Sequence, residues 1–223
     1  MNLQLTEKLN EARSLKRAFK LPETIEALKE CLAIDPHCVI ASAQAGLCSL
    51  MTGEVEQAES FLKQAVEDTN KTDTPVLAFY TAALIANGKD CGEYLPLCPD
   101  LQDTLLLVAE MLSEKDKHDA VLRLIEVLSE KYLNTDLFKT PKAHYRLIRL
   151  LARAGETALA ADLANGLEAE TPNSWEGLAA QAAVEMAKKD YDKAYSLTVR
   201  ALQHGGSSNP MLAAQQHWLA LNK

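Results

Sequence analysis

The chain has 223 residues, 48% hydrophobic and 5% aromatic, with 31 acidic against 23 basic side chains and a formal charge of -8. That acidic balance disfavours nucleic acid as the main partner, because binding phosphates needs a basic surface with aromatics to stack on. Few aromatics and no alternating β-branched run leave a sheet little to work with, so the expected fold class is all-α.

The N-terminal stretch MNLQLTEKLNEARSLKRAF carries acids from Glu7 onward and lacks the apolar core of a signal peptide. The first predicted helix bears the apolar stripe Leu5, Leu9, Ala12 and Phe19 and ends at Leu21-Pro22. Glu23 to Ile34 makes its antiparallel mate, which Asp35-Pro36 closes. Helices follow from Val39 to Met51, Glu54 to Glu67 and Pro75 to Ala86, where Asn87-Gly88 stops the run. Gly92, Pro96 and Pro99 then fall inside the window of the next expected helix, so a single turn is predicted there instead. Leu101 to Leu112 and Lys117 to Tyr132 form another hairpin, and NTDLFKTPK after it reads as an insertion. From Pro141 the pattern is regular again to Gly206, and a last helix covers residues 209–222.

No segment reaches the roughly 18 apolar residues of a membrane span. The expectation is a cytoplasmic protein without membrane contact. The five cysteines, Cys31, Cys38, Cys48, Cys91 and Cys98, are odd in number and form no C-x-x-C pair. They read as reduced thiols packed as small hydrophobes, with a Cys91–Cys98 pairing left open.

The helix ends fall on a grid. Pro36 and Asn70 lie 34 residues apart, as do Pro172 and Gly206, Thr24 and Ala58, and Ala160 and Ala194. GEVEQAESFLKQAV from Gly53, GETALAADLANGLEA from Gly155 and KDYDKAYSLTVRAL from Lys189 repeat one pattern. Each sets a polar turn before a helix whose Ala lets a neighbouring backbone come close. This arrangement resembles the tetratricopeptide repeat family.

The resemblance implies an α-solenoid, a right-handed superhelical stack of antiparallel helix pairs, with about 11–12 helices and an irregular middle. A single such domain is expected, with a regular block at 1–88, an irregular segment at 89–140, a regular block at 141–206 and a capping helix at 209–222. It also implies that the first helix of each pair lines a concave groove for peptides. On that expectation Leu47, Leu50 and Met51 supply apolar contacts in the first block.

The strongest local chemical signal is the helix from Pro141. Lys142, Arg146, Arg149 and Arg153 are spaced four, three and four residues apart, so they share one helical face, with no acid between Lys139 and Gly155. His144, Leu147, Ile148 and Leu151 occupy the opposite, packing face. Such a stripe either binds an acidic segment through bidentate arginines or is solvated surface. Lys142 and Arg146 match two positions of the family's carboxylate clamp, but Ala43 and Leu47 stand where that clamp needs polar side chains. A second run, Arg13, Lys16, Arg17 and Lys20, has Glu7 and Glu11 nearby and reads as ordinary surface. The last helix has no charged residue from Ala201 to Asn222. Its stripe of Met211, Ala214, Trp218 and Leu221 either packs on the preceding hairpin or forms a dimer or partner contact.

Catalytic, metal-binding and cofactor-binding residues are not expected. His37, His118, His144, His204 and His217 have no ligand spacing, and no phosphate-binding loop or nucleophile motif occurs. The expected function is a non-enzymatic scaffold or adaptor that holds a peptide or partner helix. The alternatives are a chaperone or assembly factor for a secreted or multi-subunit client and, remotely, an enzyme or regulatory domain with a cryptic site.

Overall fold

The computed structural model of the protein describes residues 3–98, 100–132 and 140–222. Twelve α-helices are described: α1 (Leu3–Arg17), α2 (Leu21–Ile34), α3 (Val39–Thr52), α4 (Val55–Asp68), α5 (Thr74–Ala86), α6 (Leu101–Ser113), α7 (His118–Tyr132), α8 (Pro141–Arg153), α9 (Thr157–Glu170), α10 (Trp175–Ala187), α11 (Tyr191–Gln203) and α12 (Pro210–Asn222). No strand occurs among the described residues, so the all-α expectation holds. Contacts gather into two compact units, residues 1–126 and 127–223, with the boundary inside α7. The regular blocks expected at 1–88 and 141–206 fall one in each unit.

Helix starts and stops follow local chemistry. Asp73, Thr140, Ser174 and Asp190 cap α5, α8, α10 and α11 by accepting a bond from the backbone N–H three residues on. Seven helices, α1, α3, α4, α5, α6, α8 and α10, end in one closing motif. A residue at positive φ donates its N–H three residues back, and the next N–H reaches five back, as in Gly53 to Leu50 and Glu54 to Ser49. The positive-φ position is Phe19, Gly53, Asn70, Gly88, Asp116, Gly155 or Lys189. Phe19, Gly53, Gly155 and Lys189 occupy one slot of the 34-residue grid, in pairs 34 residues apart.

In the first unit α1–α2 and α3–α4 are regular hairpins. Val55, Ala58, Leu62, Ala65 and Val66 give α4 its buried stripe. Gly46 brings α3 close to α4, since a Cβ there would come 2.5 Å from Leu62 Cγ. After α5 the expected helix is replaced by a single 3-10 turn at Leu95–Leu97, as the glycine and prolines dictate. Tyr94 packs edge-on to Tyr80 at 5.2 Å and receives Lys71 Nζ at 4.8 Å over its ring, so the segment is anchored. The chain then enters α6, which packs against both α5 and α3. Leu101, Leu105, Leu106, Val108, Ala109 and Leu112 of α6 are all fully buried, each large side chain contributing about 1.5–3 kcal/mol.

In the second unit α8–α9 and α10–α11 are the hairpins, and Tyr145 of α8 meets Trp175 of α10 edge-on at 5.6 Å. The closing helix α12 packs on α11. The insertion expected at NTDLFKTPK lies mostly outside the described residues.

Candidate protein-binding surfaces

The arginine helix α8 begins with Thr140 as cap and Pro141 in its first turn, which fixes its register. Leu147, Ile148 and Leu151 are buried, as the packing face requires, and so is Tyr145. The cationic stripe is not uniformly exposed. Lys142 and Arg153 stand in solvent, whereas Arg146 and Arg149 are half-buried. Arg149 and Arg153 line a cavity of about 430 Å³ together with Ala183 and Met186 of α10 and Gln215 of α12. Its lining residues carry no carboxylate. Arg149 Nη1 lies 3.6 Å from Met211 Sδ, which ties α8 to α12. Lys142 and Arg146 lie outside this cavity's lining.

The last helix packs through other residues than the stripe singled out in the sequence. The packing face of α12 is Leu212 and Leu219, both fully buried, with Gln215 Nε2 donating to Thr198 Oγ1 at 2.9 Å. The stripe of Met211, Ala214, Trp218 and Leu221 faces outward instead, Leu221 at 73% exposure. Trp218 keeps one contact, edge-on to Tyr191 at 5.5 Å.

The apolar trio expected on α3 also changes role. Leu50 is fully buried and Leu47 half-buried, so Leu50 is core and offers a partner nothing. The helix that follows the missing one, α6, packs on both α3 and α5. Met51 lines an open groove.

That groove, about 470 Å³, runs between α1 and α3. Leu9, Ala12 and Leu28 form its floor, Arg13, Lys16 and Arg17 one wall, and Ile40, Gln44 and Met51 the other, with Phe19 at its end. Lys16 Nζ donates across it to Gln44 Oε1. In sequence these cations read as ordinary surface because Glu7 and Glu11 lie nearby. The structure turns Glu11 to a different cleft, where it pairs with Lys8 at 2.9 Å. The i, i+3, i+4 spacing of the cations was the available signal.

All five cysteines are free thiols, Cys91 and Cys98 included. Burial pushes the thiols of Cys31, Cys48 and Cys98 up from their ordinary range, so they are poor nucleophiles. Among the described residues no three His, Cys, Asp or Glu side chains gather to hold a metal. Among the same residues no helix is long and apolar enough to cross a membrane.

Stacked hairpins whose helices share one closing motif define a helical-repeat protein. Residues 15–88 match the family model described as Tetratricopeptide repeat, and this stretch of the chain is made of tetratricopeptide repeats. Among solved structures, the chain is similar to a tetratricopeptide repeat protein from Parabacteroides merdae, at 14% identity and TM-score 0.48, with 98% of this chain and 85% of that one covered. It is also similar to yeast Sti1 in a TPR2AB-domain:pHSP90 complex, at 14% identity and TM-score 0.36, with 97% and 98% covered. A third likeness is to YrrB, a TPR protein with an unusual peptide-binding site, at 14% identity and TM-score 0.34, with 93% and 88% covered. No curated protein matches the chain.

Proposed function

We propose that the protein is a non-enzymatic interaction module whose second unit holds an acidic segment of a partner against α8 and α10. The carrying observation is the cavity in which Arg149 and Arg153 stand beside Met186 and Gln215. Arginines engage carboxylates bidentately, and Met adapts to varied apolar neighbours. A short fluorescein-labelled Glu/Asp peptide tests this by anisotropy. Arg153→Glu is expected to weaken its binding about fivefold, and a neutral Ser peptide is expected not to bind. Unchanged affinity in Arg153→Glu and in Arg149→Glu/Arg153→Glu would remove the acidic segment from this cavity.

The outward stripe of α12 favours a second contact, with another copy of the chain. Trp218 and Leu221 are large, uncharged and exposed on a face that would otherwise present water with a polar cap.

A further inference from the structure

We infer that the hairpin α1–α2 carries a self-complementary contact with a second copy of this chain, in which the turn at Phe19 of each copy enters an acidic cleft on the other. The cleft, about 700 Å³, is lined from α1, α2 and the junction of α3 with α4, and it shares no lining residue with the groove of α1 and α3. Ile25 and Ala27 are buried in its floor, and Leu15 and Pro22 border it. Its carboxylates exceed the cations that reach them. Lys8 pairs with Glu11 at 2.9 Å and with Glu30 at 2.6 Å, and Lys29 with Glu26 at 2.8 Å, whereas Glu23 and Glu54 have no ion pair among the described residues. An apolar floor beside unpaired carboxylates suits an apolar side chain flanked by cations.

The same hairpin presents that group. Phe19 is 79% exposed in the turn between α1 and α2, with exposed Arg17 and Lys20 beside it, and neither cation has a carboxylate within ion-pair distance among the described residues. Phe19 lines the other groove, so it does not fill the cleft of its own chain. Pro22 and Glu23 of the cleft follow Phe19 by three and four residues, so the donor turn and the receiving cleft adjoin. Adjoining complementary halves are what a two-fold contact requires. The axis that places one turn in the partner's cleft also places the partner's turn in the first. Each copy then brings two cations to two unpaired carboxylates, and the pair closes with no cleft left over. A chain of net charge -8 otherwise repels its copies, so these cations confine the approach to one edge.

The test is sedimentation equilibrium of the full chain carrying Trp218→Ala, so that the α12 contact proposed above does not contribute. This parent is expected to follow a monomer–dimer equilibrium. Arg17→Glu/Lys20→Glu and Glu23→Lys/Glu54→Lys, each added to it, are expected to raise the dissociation constant about tenfold or more. An equimolar mixture of the two variants is expected to dimerise again, since one contact of the mixed pair is native and the other has both charges reversed. Phe19→Asn removes the aromatic and keeps the turn, because Asn70 closes α4 at a similar φ. It is expected to raise the dissociation constant several-fold with the urea midpoint unchanged, which separates contact from folding. Charge reversals without effect overturn the inference, as do a mixture no tighter than its components, an unaltered affinity in Phe19→Asn, or a mass that climbs past the dimer. A monomeric parent, with self-association only when Trp218 is present, leaves the α12 contact standing and removes this one.

Discussion

The groove of α1 and α3 and the cavity of α8, α10 and α12 have walls of the same kind, first helices of successive hairpins, and both carry arginines. They differ in what holds those arginines. Arg149 is half-buried and lies against Met211, so its position is set before any partner arrives. Arg17 is exposed and has no carboxylate within reach among the described residues. A fixed arginine favours geometric selection, whereas an open one favours fast, salt-sensitive capture. Repeat spacing decides which way a side chain points, but its neighbours decide what it can do there.

The sharpest way to break this comparison is to destroy one wall. Gly46→Leu places a branched side chain where even a Cβ would meet Leu62 at 2.5 Å and Ala58 O at 3.2 Å. It is expected to destabilise the first unit by about 3 kcal/mol, read from a urea transition, and to abolish the α1–α3 groove while acidic-peptide binding at the second unit persists. Loss of peptide binding as well would show that the two units are not separate. Salt gives a gentler test: the contact made by Arg17 is expected to weaken more steeply with added NaCl than peptide binding at the second unit. Equal slopes would remove the distinction between open and fixed arginines.

Trp218→Ala bears on the α12 stripe. Its cost to stability is expected to be about 0.5–1.5 kcal/mol, the value of the edge contact with Tyr191. In sedimentation a lowered mass would place Trp218 in a contact between copies, and an unaltered mass would exclude it.

The smallest effect concerns the joint between the first two hairpins, where His37 Nδ1 meets Asp68 Oδ1 at 2.7 Å. That hydrogen bond holds the imidazole above its ordinary 6.5. The bond from Gln64 and then that from His37 hold the Asp68 carboxyl below its ordinary 3.8. A raised histidine stabilises fully below 6.5 and loses that contribution as pH rises through its folded value. A lowered aspartate stabilises above 3.8 and loses its contribution as pH falls through its folded value. His37→Ala is therefore expected to lower the urea midpoint at about pH 5.5 and to leave it nearly unchanged at about pH 9. A difference of equal size at both would mean the pair does not titrate as the geometry requires.

Much of the fold was legible because glycine, proline and alanine act locally. The turn at Asn87-Gly88, the lost helix after it and the small residues at Ala58 and Ala194 need only near neighbours to have their effect. The surfaces were less legible because they depend on which helix lies across from each residue. Leu50 looked like a groove contact, yet it is fully buried, and nothing within α3 signals that. Arg13 and Arg17 looked neutralised by Glu11, which a helix of 3.6 residues per turn points elsewhere. Phe19 looked like the end of an apolar stripe, though the 34-residue grid sets it level with Gly53 and so in a turn.

The replacement of a helix by the segment between α5 and α6 has a consequence for direction. Removing one helix from an up-and-down chain would reverse every helix after it. Here Tyr94 packs on Tyr80 and Cys98 Sγ lies 3.9 Å from Thr81 Oγ1, both on α5, and α6 closes with the same motif as α1, α3 and α5. The 13 residues of α5 span about 20 Å, while a dozen residues of extended chain reach about 40 Å. The segment between α5 and α6 therefore needs no second helix to cover that length, and Tyr94 anchors it against Tyr80 on the way.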